Sequence, residues 1–115
     1  MNVENVKSQM KKGILEYCIL LILRNRKAYA SDIIQELKDG KLIVVEGTLY
    51  PLLTRLKNTD LLSYEWVEST QGPPRKYYLL TEKGMTVLNE LETSCNELNS
   101  VVEYLRNRKA DDQQV

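Results

Sequence analysis

The sequence predicts a mainly α fold with one small β-hairpin, a winged helix-turn-helix followed by a C-terminal dimerisation helix. Three observations carry this. Three apolar-periodic segments occupy the first half of the chain, and a period-two stretch split by Gly72-Pro73-Pro74 follows them. A 3/4-spaced apolar seam then runs through the last third. The 115 residues suffice for one domain with a single core.

Residues 1–12 are polar, and the reading extends the first helix into them or leaves them frayed. Apolar residues from Gly13 to about Arg26 cover nearly every face, as in a helix enclosed by several neighbours. Arg24, Arg26 and Lys27 suit the negative end of that helix. Ile14 to Leu23, interrupted by Glu16, is too short to span a bilayer and lies behind too polar a lead for a signal peptide, so a cytoplasmic protein is expected.

A second helix is expected from about Ala30 to Lys38. Ser31 and Asp32 supply its N-terminal chemistry, and Asp39-Gly40 stops it, with glycine taking the left-handed conformation. A third runs from about Gly47 to Asn58 on the stripe Leu49, Leu52, Leu53 and Leu56, with Pro51 near its start, where a missing amide hydrogen costs least. Leu62, Tyr64 and Trp66 alternate along a first strand, and Tyr77 and Leu79 along a second. Thr81 and Glu82 open the last helix with a hydroxyl cap and an acid. Leu88, Leu91, Cys95, Leu98, Val102 and Leu105 follow as a heptad seam, read as the dimer interface, with coverage of the subunit's own core as the alternative. Residues 13–81 form the winged domain, 82–109 the dimerisation helix and 110–115 a disordered tail.

The chain has no histidine, no nucleophile elbow and no glycine-rich phosphate loop. Its two cysteines, Cys18 and Cys95, cannot build a zinc site alone, so neither an enzyme nor a metal or other cofactor is expected. The cysteines sit among apolar neighbours and read as reduced core residues, with a disulfide or a redox switch, such as a Cys95 link across a two-fold, as the alternative. Sixteen basic residues balance sixteen acidic ones, so any attraction to nucleic acid must come from local clustering. Such clustering is visible. Residues 47–57 and 71–80 each carry two cations and no acid, whereas acids gather in the last helix. With its leucines turned inward, the third helix presents Thr48, Pro51, Arg55 and Asn58, with Tyr50, Thr54 and Lys57 at the margins. Arg75 and Lys76 follow the rigid turn as a candidate phosphate grip.

The stretches GTLYPLLTRLK (47–57), Asp60-Leu61-Leu62, GPPRKYYLLTEKG (72–84) and KGILEYCILLIL (12–23) resemble the PadR family of transcriptional regulators, and the single last helix is similar to its smaller subgroup. The resemblance implies a homodimeric repressor on double-stranded DNA with an inverted-repeat operator. By position it puts DNA contacts on Thr48, Tyr50, Pro51 and Arg55 of the third helix and on Arg75 and Lys76 of the wing. It also implies that Tyr77 and Tyr78 divide between the hairpin core and the outer face. Many relatives respond to small aromatic or drug-like molecules, and a multidrug-binding branch sandwiches planar ligands on a tryptophan midway along the last helix. Here that position holds Cys95, and the only tryptophan, Trp66, lies in the hairpin. Tyr17, Cys18 and Cys95 are candidates to line a different effector cavity, against a fully packed interface. The contrasting functional class is a winged-helix protein-interaction adaptor that does not bind DNA.

Overall fold

Asn2 opens the first helix, its Oδ1 accepting the Asn5 amide hydrogen at 3.2 Å. That helix, α1, runs over Val3–Asn25 in the computed structural model, which describes residues 1–109; the tail at 110–115 lies outside the described residues. Residues 3–12 therefore lengthen the helix to about 35 Å. Its second half buries Leu15, Ile19, Leu20 and Leu23, whereas residues 1–14 are all exposed.

The second helix, α2, spans Ala30–Asp39. Its start is held by Asp32, whose Oδ2 accepts the Tyr29 amide hydrogen at 3.0 Å. Ser31 takes no part in that cap and faces the wing instead. The stop also differs from expectation. Gly40 has φ −82°, and the left-handed residue is Lys41, at φ 72°. Lys41 N–H donates to Lys38 O, and Leu42 N–H reaches back to Leu37 O at 2.8 Å. This is a Schellman motif in which the turn must reverse one residue later so that Leu42 can pack beside Leu37.

The third helix, α3, spans Glu46–Asn58 and ends in the same motif: Asp60 is left-handed at φ 64°, and Leu61 N–H donates to Leu56 O at 3.0 Å. Leu49, Leu53 and Leu56 are buried and Leu52 is half-buried. Pro51 lies one residue further in than the sequence reading placed it, because the helix begins at Glu46; it has no amide hydrogen for the Gly47 carbonyl one turn back.

The strands β1, Leu62–Val67, and β2, Arg75–Leu80, pair antiparallel with Leu62 opposite Leu80 and Val67 opposite Arg75. On its other edge β2 is tied to the body by Ala28, which exchanges two backbone hydrogen bonds with Tyr78 at 3.1 and 2.8 Å. The hairpin is thereby anchored at its middle.

The last helix, α4, spans Glu82–Asn107. Thr81 Oγ1 accepts the Gly84 amide hydrogen at 2.9 Å. Gly84 is required for steric reasons: a Cβ there would lie 2.2 Å from Leu61 O. One core joins all the elements, with Ile19, Leu20, Ile33, Leu49, Leu53, Leu62 and Leu88 fully enclosed. Arg24 fastens α1 to α4 through two hydrogen bonds to the Glu92 carboxylate at 3.3 and 3.1 Å. Arg26 pairs with Asp32 and Glu36, and Lys27 with Glu65. The cations at the end of α1 thus act chiefly as ties to other elements.

Candidate nucleic-acid interface

With three leucines of α3 committed to the core, Thr48, Tyr50, Pro51, Thr54 and Arg55 are left on its exposed side. A groove separates this side from the hairpin. Tyr50 and Thr54 line one wall, Trp66, Pro74, Arg75 and Lys76 the other, and Tyr29 and Ser31 at the start of α2 also contribute. Helix and wing therefore border the same concavity. A second, shallower concavity on α3 is lined by Tyr50, Pro51, Thr54, Arg55 and Asn58, so Tyr50 and Thr54 form a ridge between the two. Of the residues expected to meet DNA, Tyr50, Arg75 and Lys76 share the groove, Pro51 and Arg55 lie across the ridge, and Thr48 is exposed but lines neither concavity.

The wing cations are held on aromatic surfaces. The Arg75 guanidinium lies 3.9 Å from the Tyr29 ring centroid and donates to Ser31 Oγ at 2.7 Å. Tyr29 is in turn stacked on Tyr77, with centroids 4.3 Å apart and planes 10° from parallel. Such a cation–π contact stabilises by about 0.5–1 kcal/mol at an exposed site, enough to bias the rotamers of a long side chain. The Lys76 ammonium lies 4.4 Å from the Tyr64 centroid and 5.3 Å from that of Trp66. Lys57 approaches the same Tyr64 ring from α3 at 5.7 Å. Among the described residues, none of Lys57, Arg75 and Lys76 has a carboxylate partner. Arg55 is different: its Nη1 lies 3.5 Å from Glu16 Oε1 on α1, although its side chain remains 70% exposed.

Two neighbouring tyrosines divide as the resemblance implies. Tyr78 is buried, and that burial pushes its phenol upward from the ordinary value, with Tyr50 and Tyr64 adding to the shift. Tyr77, on the opposite face of the strand, is half-buried and stacked on Tyr29.

The basic character of the surface is less pure than residues 47–57 imply. Because α3 starts one residue earlier than expected, Glu46 joins the wall of the groove. Tyr29, Ser31 and Trp66 were likewise absent from the expected set. Ser31 and Arg75 are 44 residues apart, and nothing in local spacing connects them.

At the far end of the molecule, Val3, Val6, Met10 and Ile14 on α1 and Leu91, Leu98, Val102 and Leu105 on α4 are exposed. Leu88 belongs with the core instead: it is fully enclosed within the single subunit and offers nothing to a partner. Between the two helices is an open cleft of about 270 Å³, lined by Ile14, Tyr17, Leu91, Cys95 and Leu98 among others. Of the expected cavity residues, Tyr17 and Cys95 line it. Cys18 does not; it packs against the core, and burial pushes its thiol up from the ordinary value, with Cys95 adding a smaller push in the same direction. Both cysteines are free thiols. No helix among the described residues is long and apolar enough to cross a membrane.

A family model described as the transcriptional regulator PadR-like family matches residues 19–90. The chain is 73% identical to a PadR-like transcription factor of known structure from Bacteroides fragilis, covering 88% of this chain and 98% of that one with a TM-score of 0.78. A PadR family regulator from Eggerthella lenta is 33% identical, with 93% and 94% covered and a TM-score of 0.81. A PadR-like regulator from Bacillus cereus is 36% identical, with 88% and 99% covered and a TM-score of 0.78. These relatives are transcriptional regulators, a non-enzyme class. On the family match and on its mainly helical winged fold, the chain belongs to the PadR-like family of transcriptional regulators.

Proposed function

We propose that the chain is a cytoplasmic homodimeric repressor that grips an inverted-repeat operator through α3 and the hairpin wing. The supporting observation is the groove that Tyr50 and Thr54 share with Arg75 and Lys76. A duplex seated on this surface meets the side chains of α3 in its major groove, while Lys76 meets phosphate and Arg75 stiffens the wing against α2. Leu91, Cys95, Leu98, Val102 and Leu105 of α4, with the apolar stripe on the first half of α1, are the proposed dimer surface. A two-fold assembly then sets equivalent points on the half-sites about 34 Å, or a multiple of it, apart.

The test pairs sedimentation with mobility shift on the intergenic DNA upstream of the gene. The expected result is a dimer at micromolar concentration and a saturable shift. Arg55→Ala or Lys76→Ala removes one charged contact per half-site, about 1 kcal/mol each, and so weakens that shift roughly thirtyfold with the dimer intact. A monomer, or a dimer that shifts no DNA, contradicts the proposal; the second outcome is the one expected of a protein-interaction adaptor. A reporter behind the same promoter checks the sign of regulation. The cleft beside Tyr17 and Cys95 supports a small aromatic or drug-like effector that releases DNA, checked by loss of the shift on titration with such compounds.

A further inference from the structure

Glu46 is the first residue of α3, is exposed, and lines the groove that contains Tyr50, Thr54, Arg75 and Lys76. Among the described residues no cation pairs with it; Arg75 is turned to Ser31 and Tyr29, and Lys76 to Tyr64 and Trp66. An acid at a helix start is stabilised by the helix dipole, which explains its residue type. The dipole does not explain why the carboxylate lies on a wall facing a polyanion, where phosphates repel it.

Base edges resolve the conflict. The first-turn residues of a recognition helix reach those edges and not only the backbone. In the major groove, hydrogen-bond donors are confined to cytosine N4 and adenine N6, while guanine and thymine present acceptors. An ionised carboxylate only accepts. Adenine sets its own N7 acceptor beside N6, which repels the second carboxylate oxygen, whereas cytosine carries only a C–H beside N4 on its own ring. We propose that Glu46 is a specificity-determining residue that accepts a hydrogen bond from a cytosine N4 amine once in each half-site. This rests on the DNA-binding reading above. It makes Glu46 costly on random DNA and favourable on the operator, so one side chain lowers background binding and raises selectivity together.

The experiment is selection from a randomised duplex library by the full-length protein, sequenced to yield a base-preference matrix for wild type, Glu46→Gln and Glu46→Ala. The wild type shows cytosine at one position per half-site, with guanine or thymine there weakening binding about tenfold to hundredfold. Glu46→Gln moves that position to adenine, since an amide both donates to N7 and accepts from N6. Glu46→Ala flattens that position alone and tightens binding to random duplex. A purely structural role for Glu46 lowers affinity evenly and leaves the matrix unchanged. Selective wild-type binding with the same matrix in both variants overturns the assignment while sparing the regulator reading; no selective wild-type binding removes both.

Discussion

Replacing Gly84 by alanine tests how α4 is seated on the winged domain. The added Cβ would lie 2.2 Å from Leu61 O, about 1.2 Å short of ordinary contact, and 2.7 Å from Leu80 Cδ1. The leucine methyl can swing away. The carbonyl cannot do so freely, because Leu61 O accepts the Thr81 amide hydrogen at 3.1 Å and lies 3.1 Å from the Thr81 hydroxyl, so its retreat loosens the cap of α4. Overpacking against fixed backbone costs about 3 kcal/mol, at the upper end of its usual range. Alanine returns about 1 kcal/mol of helix propensity. The net loss is therefore about 2 kcal/mol, or roughly 8 °C in thermal midpoint for a chain of this size. Urea unfolding at fixed protein concentration reads it as a lower midpoint with unchanged slope. In the proposed dimer, operator affinity is expected to fall as well, because a displaced α4 alters the separation of the two α3 helices. A Gly84→Ala protein as stable as wild type, or more stable, would refute the close approach of α4 to the α3–β1 turn.

Further substitutions separate the remaining claims. Leu98→Asp places a charge on the exposed seam and yields a folded monomer in sedimentation, whereas Leu88→Ala, inside the core, costs about 2–5 kcal/mol of stability in urea; a dimeric Leu98→Asp protein would speak against the seam. Lys41→Gly relieves the left-handed strain at φ 72° and raises the stability read from urea unfolding by about 0.5 kcal/mol, more than Asp60→Gly, since aspartate tolerates that conformation better. No gain in either variant would count against the two Schellman turns. The Arg24 hydrogen bonds and charge hold the Glu92 carboxyl below the usual glutamate range. A group depressed on folding contributes stability that is complete above its unfolded value and lost as pH falls through the folded one. Glu92→Gln accordingly flattens the acid limb of thermal midpoint against pH below about pH 4, and an unaltered limb would exclude the tie.

Periodicity made much of the fold legible. The 3/4 spacing of Leu49, Leu53 and Leu56 marks α3 because only a helix brings those side chains to one face, and the alternation around Gly72-Pro73-Pro74 marks the hairpin because both flanks change period together. The same logic could not place Leu88. A heptad position reads identically whether its neighbour is the subunit's own core or a second chain, and only the seat of α4 at Gly84 decides that Leu88 faces inward. Gly40 misled for a related reason: composition favours glycine in the left-handed position, but the pairing of Leu42 with Leu37 fixes which residue reverses the chain, and that residue is Lys41. In the candidate site, cations and the exposed face of α3 were readable locally. The stacking of Tyr29 on Tyr77 and the Ser31–Arg75 hydrogen bond were not, since they join the start of α2 to a strand more than forty residues away.

The central claim is that α3 and the wing tip address one duplex. It is tested most directly by affinity cleavage in a Cys18→Ser/Cys95→Ser background, with an iron–EDTA reagent attached through Asn58→Cys on α3 or through Gln71→Cys at the hairpin tip. Both conjugates are expected to cut within the same half-site, the first around the major groove and the second on the flanking backbone. Cleavage from α3 with none from the hairpin tip, while the protein remains bound, would contradict the shared surface.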